Sequence, residues 1–244
     1  MRFALALLPL LALAACNGGG GGNASTSATP VAKATPPAGK QWVDVVAKTP
    51  EGGFRQGNPD APIKLVEYGS RTCPTCGRFA AEGVEPLRAQ FISTGQVSYE
   101  FRDFPLHGAP DFALALLNQC VGIDAFFPML DRMFANQSNF LDKQQKLPEA
   151  TLQQIQGMAP QQAAIAFADA VGMVDFVKQN GLPEAKARQC LADQATLKAI
   201  GDVYADGANN RGVTGTPSFF VNGNAVDGPS WKDVETALRA AGAR

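Results

Sequence analysis

Ile63-Lys64-Leu65-Val66-Glu67-Tyr68-Gly69-Ser70-Arg71-Thr72-Cys73-Pro74-Thr75-Cys76 is the stretch that decides the fold. Its first six residues have the β-branched and aromatic content of a buried strand. Gly69 to Thr72 turn the chain. From Gly77 to Phe91 the apolar residues Phe79, Ala80, Val84, Leu87 and Phe91 recur at helical spacing. Pro74 suits a first helical turn, where its missing N–H is no loss. Cys73 therefore falls at a helix N-terminus, with unpaired backbone N–H groups aimed at its sulfur. Such a setting stabilises thiolate and brings a cysteine pKa down to roughly 3.5–7.5.

Other chemistries for Cys73-Pro74-Thr75-Cys76 fit less well. A c-type haem attachment needs histidine after the second cysteine, and Gly77 stands there. A zinc site would have to recruit Cys120 and Cys190, which lie far outside ribbon spacing. A purely structural disulfide stays open, although two-residue spacing at a helix start is redox-like. The chain has 244 residues, 5 cysteines and 1 histidine, which excludes any metal site built on two histidines. With 21 basic against 22 acidic residues the net charge is −1, so no basic footprint for nucleic acid is present.

The odd cysteine count directs attention to the amino terminus. Arg2 precedes an apolar run from Phe3 to Ala15, the pattern of a secretory signal. The run ends Leu13-Ala14-Ala15-Cys16, which resembles the lipobox of bacterial lipoproteins, with Cys16 as the lipidated residue. An ordinary signal peptide with Cys16 as a free thiol is the alternative. Residues 17–40 are rich in Gly, Ser, Thr, Ala and Pro without apolar periodicity, and predict a flexible tether. Four cysteines then remain, allowing three pairings. Spacing favours Cys73 with Cys76, which leaves Cys120 and Cys190 either bonded to each other or as buried free thiols. An exported chain lives where disulfides persist.

A second signature lies far downstream. Ser218-Phe219-Phe220-Val221 reads as a strand, Asn222-Gly223 as a hairpin turn, and Ala225-Val226-Asp227 as a short return. Ser230 reads as the N-cap of a last helix, with Gly242 near its end. Pro217 before the strand is awkward without a special role. Upstream, Val97 to Asp103 alternates as a strand. Helical patterning then covers 111–123, 124–136, 148–159, 161–172 and 183–210.

Taken together, Val66-Glu67-Tyr68-Gly69-Ser70, Cys73-Pro74-Thr75-Cys76 and Gly215-Thr216-Pro217-Ser218-Phe219-Phe220-Val221-Asn222-Gly223 resemble the DsbA-type thiol–disulfide oxidoreductases of the thioredoxin superfamily. The resemblance spans about residues 50–241. It implies an α/β thioredoxin fold, residues 41–106 with 211–244, carrying an inserted all-helical domain at 107–210. Residues 1–15 would be the lipoprotein signal, and 16–40 the lipidated cysteine and linker. Strand 97–103 should run parallel to strand 63–68 through a right-handed βαβ unit.

The same resemblance implies roles residue by residue. Cys73 and Cys76 form the redox pair, with Pro74 and Thr75 between them. Pro217 matches a cis-proline facing that pair, and Thr216 before it offers its backbone to an extended substrate strand. An ordinary trans proline is the bland alternative. Glu67 matches a buried acid beneath the pair, able to relay a proton for Cys76; a satisfied strand glutamate is the alternative. Cys120–Cys190 is implied to be a structural disulfide. Thr75 departs from the family, many members of which carry histidine between the cysteines. Threonine supplies no charge there, and Thr216 leaves room for reductase or isomerase character.

His107, in Leu106-His107-Gly108, reads as loop structure rather than as a catalytic group. Phe126, Phe127, Met129, Met133 and Phe134 read as core before they read as a peptide groove. The expected activity is oxidation of exported proteins through Cys73 and Cys76, without metal or organic cofactor. A reductase, an isomerase, or a non-enzymatic lipoprotein with a structural Cys73–Cys76 bond are the rivals. Expected partners are reduced or misoxidised exported proteins, a quinone-linked membrane protein for reoxidation, and a membrane held through the lipid; nucleic acid is excluded and a monomer expected. The expected location is the periplasm-facing cell envelope, on either membrane.

Overall fold

The computed structural model describes residues 29–244. The signal and lipobox readings, Cys16 included, lie outside the described residues.

A mixed six-stranded sheet forms the centre, in the order β1-β2-β4-β3-β5-β6. The strands are β1 (Val46–Lys48), β2 (Phe54–Gly57), β3 (Ile63–Gly69), β4 (Val97–Asp103), β5 (Ser218–Val221) and β6 (Asn224–Ala225). β3 and β4 are parallel, with Ile63 opposite Val97 and Gly69 opposite Asp103; every other pair is antiparallel. The two-residue period of β3 sends Leu65 and Glu67 to one face of the sheet and Val66 and Tyr68 to the other.

On the first face lie α1 (Pro74–Leu87), α3 (Phe126–Ala135) and α10 (Trp231–Ala240). Phe79, Val84 and Leu87 of α1 pack with Phe126, Phe127 and Leu130 of α3 and Val234 and Leu238 of α10. Pro86 cannot donate within α1, and the helix continues as a wider π turn over Arg88–Ile92. Ser230 caps α10 in a capping box with Asp233. Asn222 and Gly223 take positive φ values, 50° and 83°, in the turn from β5 to β6.

Between β4 and β5 run α2 (Ala109–Cys120), α3, α4 (Gln137–Gln145), α5 (Glu149–Gln156), α6 (Pro160–Ala170), α7 (Met173–Gln179), α8 (Glu184–Leu191) and α9 (Gln194–Asn210). They enclose a core of their own, with Leu114, Leu117, Ala164, Phe167 and Val177 at its middle. Helix α9 also leans on the second face of the sheet, where Val203 meets Tyr68 and Phe104. Gly207 permits this approach, since a Cβ there would lie 2.8 Å from the Tyr68 ring.

Several expectations need correction. The tether was expected to run to residue 40, but its last part is laid on the domain. Val31 N–H donates to Gly242 O and Ala34 N–H to Thr94 O, both at 2.9 Å, and Trp42 Nε1 donates to Ala34 O. Val31 and Ala34 pack against the sheet core, so their burial and these paired backbone groups offset the ordering entropy. The expected helix 183–210 is broken, because Asp193 caps α9 by accepting from the N–H groups of Ala195 and Thr196. Strands β1 and β2 and helices α4 and α7 were not expected at all. The aromatic and Met run 126–134, in contrast, is core as expected. Phe126 and Phe127 enter the sheet core, Met129 and Met133 the helical core, and Phe134 packs at the margin.

Candidate active site

The backbone places Cys73 as N-cap of α1, directly after the loop that leaves β3. Both Cys73 and Cys76 are free thiols. They differ sharply in surroundings: Cys73 keeps 6% of its surface exposed and Cys76 none. The Cys73 thiol is drawn down to about 5. The largest cause is the adjacent Cys76 thiol, with Thr216 and the backbone N–H groups of Cys76 and Thr75 adding to it against the opposing effect of burial. Cys76 moves the other way, raised first by burial, then by the Cys73 sulfur and the Glu67 charge. The helix N-terminus read from sequence therefore contributes, but the neighbouring thiol contributes more.

The downstream signature meets this pair in space. The Thr216–Pro217 peptide bond is cis. The Cys73 Sγ donates to the Thr216 carbonyl at 3.1 Å, across 143 residues of sequence.

Beneath the pair, Glu67 is fully enclosed, on the sheet face that carries α1. Its Oε2 accepts from the Tyr99 hydroxyl at 2.6 Å, and its Oε1 has no protein partner. Burial raises its carboxyl to about 8, against the lowering effect of that hydrogen bond. Glu67 is therefore mostly a neutral acid at pH 7, able to give up a proton to a group whose affinity for one is higher.

The loop between β3 and α1 is held from several sides. Buried Arg71 donates from Nε to Asn118 Oδ1 at 3.1 Å, forms an ion pair with Asp103, and lies over the Phe101 ring. Gln137, from α4, donates through Nε2 to the carbonyls of both Arg71 and Cys73 at 2.9 Å. Gly77 makes room for this, because a Cβ there would run into the Gln137 side chain. Asp111, in the first turn of α2, accepts from the hydroxyls of Ser70 and Thr72 and from the backbone N–H groups of Thr72 and His107.

Sequence reasoning missed Arg71, Asp111 and Gln137, and only the segment entering Cys73 could have flagged the first. His107, read as loop structure, does sit in the turn between β4 and α2, and its Nδ1 lies 2.8 Å from the Thr72 hydroxyl, one residue from Cys73. Cys120 and Cys190 stand elsewhere, bonded to each other between α2 and α8 at a Cα separation of 5.9 Å. That bond removes the two partners a zinc site at Cys73 and Cys76 would have required. The arrangement at α1 can perform thiol–disulfide exchange: a stabilised thiolate with a small exposed edge, a second thiol that is fully buried, and an enclosed acid.

A family model described as thioredoxin matches residues 49–240. The chain belongs to the thioredoxin family. Among curated relatives, a putative protein-disulfide oxidoreductase of Rickettsia felis is 26% identical over 211 residues, covering 84% of this chain and 67% of the relative. A probable disulfide bond formation protein D of Bacillus cereus is 26% identical over 187 residues, covering 75% of each. The chain spans only 66% and 63% of two further Rickettsia relatives. Among solved structures, a protein-disulfide isomerase from Novosphingobium aromaticivorans has a TM-score of 0.73 at 27% identity, covering 76% of this chain and 95% of that one. Wolbachia pipientis alpha-DsbA1, at 21% identity and a TM-score of 0.62, shares the fold. The thioredoxin fold with its many helices, and the DsbA-type thiol–disulfide oxidoreductase class expected from the sequence, both hold.

Proposed function

We propose that this chain is a dithiol oxidase of exported proteins, working through the Cys73–Cys76 disulfide. The observation that carries the direction is the opposite displacement of the two thiols, Cys73 to about 5 and Cys76 upward. A stabilised Cys73 thiolate favours the reduced form of the pair, and that makes its disulfide oxidising.

A client thiolate attacks the Cys73 sulfur, the Cys73–Cys76 bond breaks, and Cys76 leaves with the electron pair. Glu67, protonated up to about pH 8, supplies the proton that Cys76 takes up. A second client thiolate then attacks the client sulfur of the mixed disulfide and expels Cys73 as thiolate. Two electrons pass from client to protein. The Thr216 carbonyl, beside the Cys73 sulfur, and Pro217 after it offer a backbone edge for the client strand. Pro74 sets the first turn of α1, and Thr75 contributes its N–H to the thiolate. Reoxidation needs an electron acceptor, assigned here to a quinone-linked membrane partner. Lipidation at Cys16, supported by Leu13-Ala14-Ala15-Cys16, would hold the enzyme on the periplasm-facing side of a membrane.

The test is the potential of the Cys73–Cys76 couple, equilibrated against glutathione. A value close to that of a strong oxidant, about −120 mV, is expected. A value near about −270 mV, as in thioredoxin, would overturn the oxidase direction. An intermediate value with disulfide-shuffling activity would establish the isomerase reading that the Novosphingobium protein's name carries.

A further inference from the structure

His107 is the sole histidine, and nothing in the exchange chemistry above uses it. It stands between the end of β4 and the first turn of α2, with 46% of its side chain open to solvent. The direction of its hydrogen bond can be worked out by elimination. The Thr72 hydroxyl has one proton and lies 2.9 Å from Asp111 Oδ1, which can only accept. It therefore donates to Asp111, and at 2.8 Å it accepts from His107 Nδ1–H. With Nδ1 carrying the proton, Nε2 is the nitrogen that titrates.

The charged and titratable groups set against this ring are Asp111 of α2, with Oδ2 3.6 Å from Nδ1, and Cys73 at the start of α1. Both favour the imidazolium. The Asp111 carboxylate, 3.6 Å from Nδ1, is the larger influence, and together they raise the histidine above its ordinary value against partial burial. Thr75, between the two cysteines, has no charge to offer. The only titratable cation in this network comes from the side, through Thr72.

We propose that His107 is a positioning residue for Cys73: it fixes Thr72 through its Nδ1–H, and as imidazolium it favours the thiolate one residue further on. The oxidising strength of the pair is then highest where His107 is charged, and it declines as pH rises through the histidine's titration. This rests on the exchange chemistry assigned above.

The experiment is a pH titration of the Cys73 thiolate by its absorbance and by its alkylation rate, in the full chain and in His107→Ala, His107→Gln and His107→Lys. In the parent chain the alkylation profile should show coupled inflections from Cys73 and from His107, besides that of Glu67 at about 8. The Gln variant keeps a donor without a charge, and the Lys variant keeps a charge. Loss of the charge at a half-exposed site should raise the Cys73 pKa by about half a unit, a threefold loss of thiolate below it. The Ala and Gln profiles should each lack the His107 inflection, and Lys should restore the parent value. An unchanged Cys73 pKa in Ala and Gln, with the parent thiol still depressed, would overturn this role and leave the oxidase reading intact. An ordinary thiol pKa in the parent chain would instead overturn that reading.

Discussion

The two cysteine pairs of this domain do opposite things with the same atoms. Cys120 and Cys190 are 70 residues apart in sequence and joined, tying α2 to α8 across the helical core. Cys73 and Cys76 share one helical turn and stand as free thiols with opposed proton affinities. The difference lies in what surrounds the sulfur. No ionisable group of the exchange site is grouped around the distant pair, whereas Cys73 and Cys76 have Glu67 below, Thr216 opposite and a helix N-terminus behind. Long-range connection makes a staple; proximity plus an asymmetric field makes a reagent.

The sharpest way to break this comparison is to exchange the sulfur at each place. Cys73→Ser should reduce oxidation of a reduced client peptide by about a thousandfold or more, since the Cys73–Cys76 disulfide that the client thiolate attacks can no longer form. Its melting curve should stay within about 1 kcal/mol of the parent, because the side chain changes by one atom near the surface. Continued turnover would end the assignment of the site. The double variant Cys120→Ser with Cys190→Ser should do the reverse. Opening a loop of that length removes up to about 4 kcal/mol of stability, read by urea denaturation. Turnover at temperatures where the variant stays folded should match the parent. A folded double variant without activity would show that the two pairs are coupled rather than separate.

What was legible in the sequence follows the same division between local and distant. The turn from Gly69 to Cys73, the Asn222-Gly223 hairpin and the Ser230 cap depend on residues within a few positions, and each took the form their chemistry dictates. Glu67 is found through the resemblance, as the strand acid six residues before Cys73, and the alternation of β3 then puts it on the face beneath α1. Gln137 could not: α4 is nearly all polar, with only Gln137 and Phe140 buried, so no apolar period announces it. Asp111 and His107 lie at the start of α2, and their meeting with Thr72 is made by how α2 docks on the end of the sheet. The docking of Val31 and Ala34 is likewise set by backbone partners 60 or more residues away, in a segment whose composition alone reads as tether.

The acid beneath one pair allows a finer test. Glu67 titrates at about 8 in the folded chain, against an ordinary 4.5. Between those values the folded protein holds a proton that the unfolded chain has released. The contribution of Glu67 to stability is therefore largest below about pH 4.5 and is lost as pH rises towards 8, at up to about 1.4 kcal/mol per unit. Glu67→Gln keeps the size of the side chain and an oxygen for the Tyr99 hydroxyl, but has no proton to lose. The variant should match the parent near pH 4 and exceed it near pH 8 by on the order of 4 kcal/mol, read from urea denaturation across the range. The same variant should slow the step in which Cys76 leaves, by about a hundredfold, because the proton donor is gone. A variant whose stability falls with pH as steeply as the parent's would mean that Glu67 is ionised in the folded state. The Glu67 charge would then act on Cys76 at neutral pH as well, joining burial in raising that thiol above Cys73.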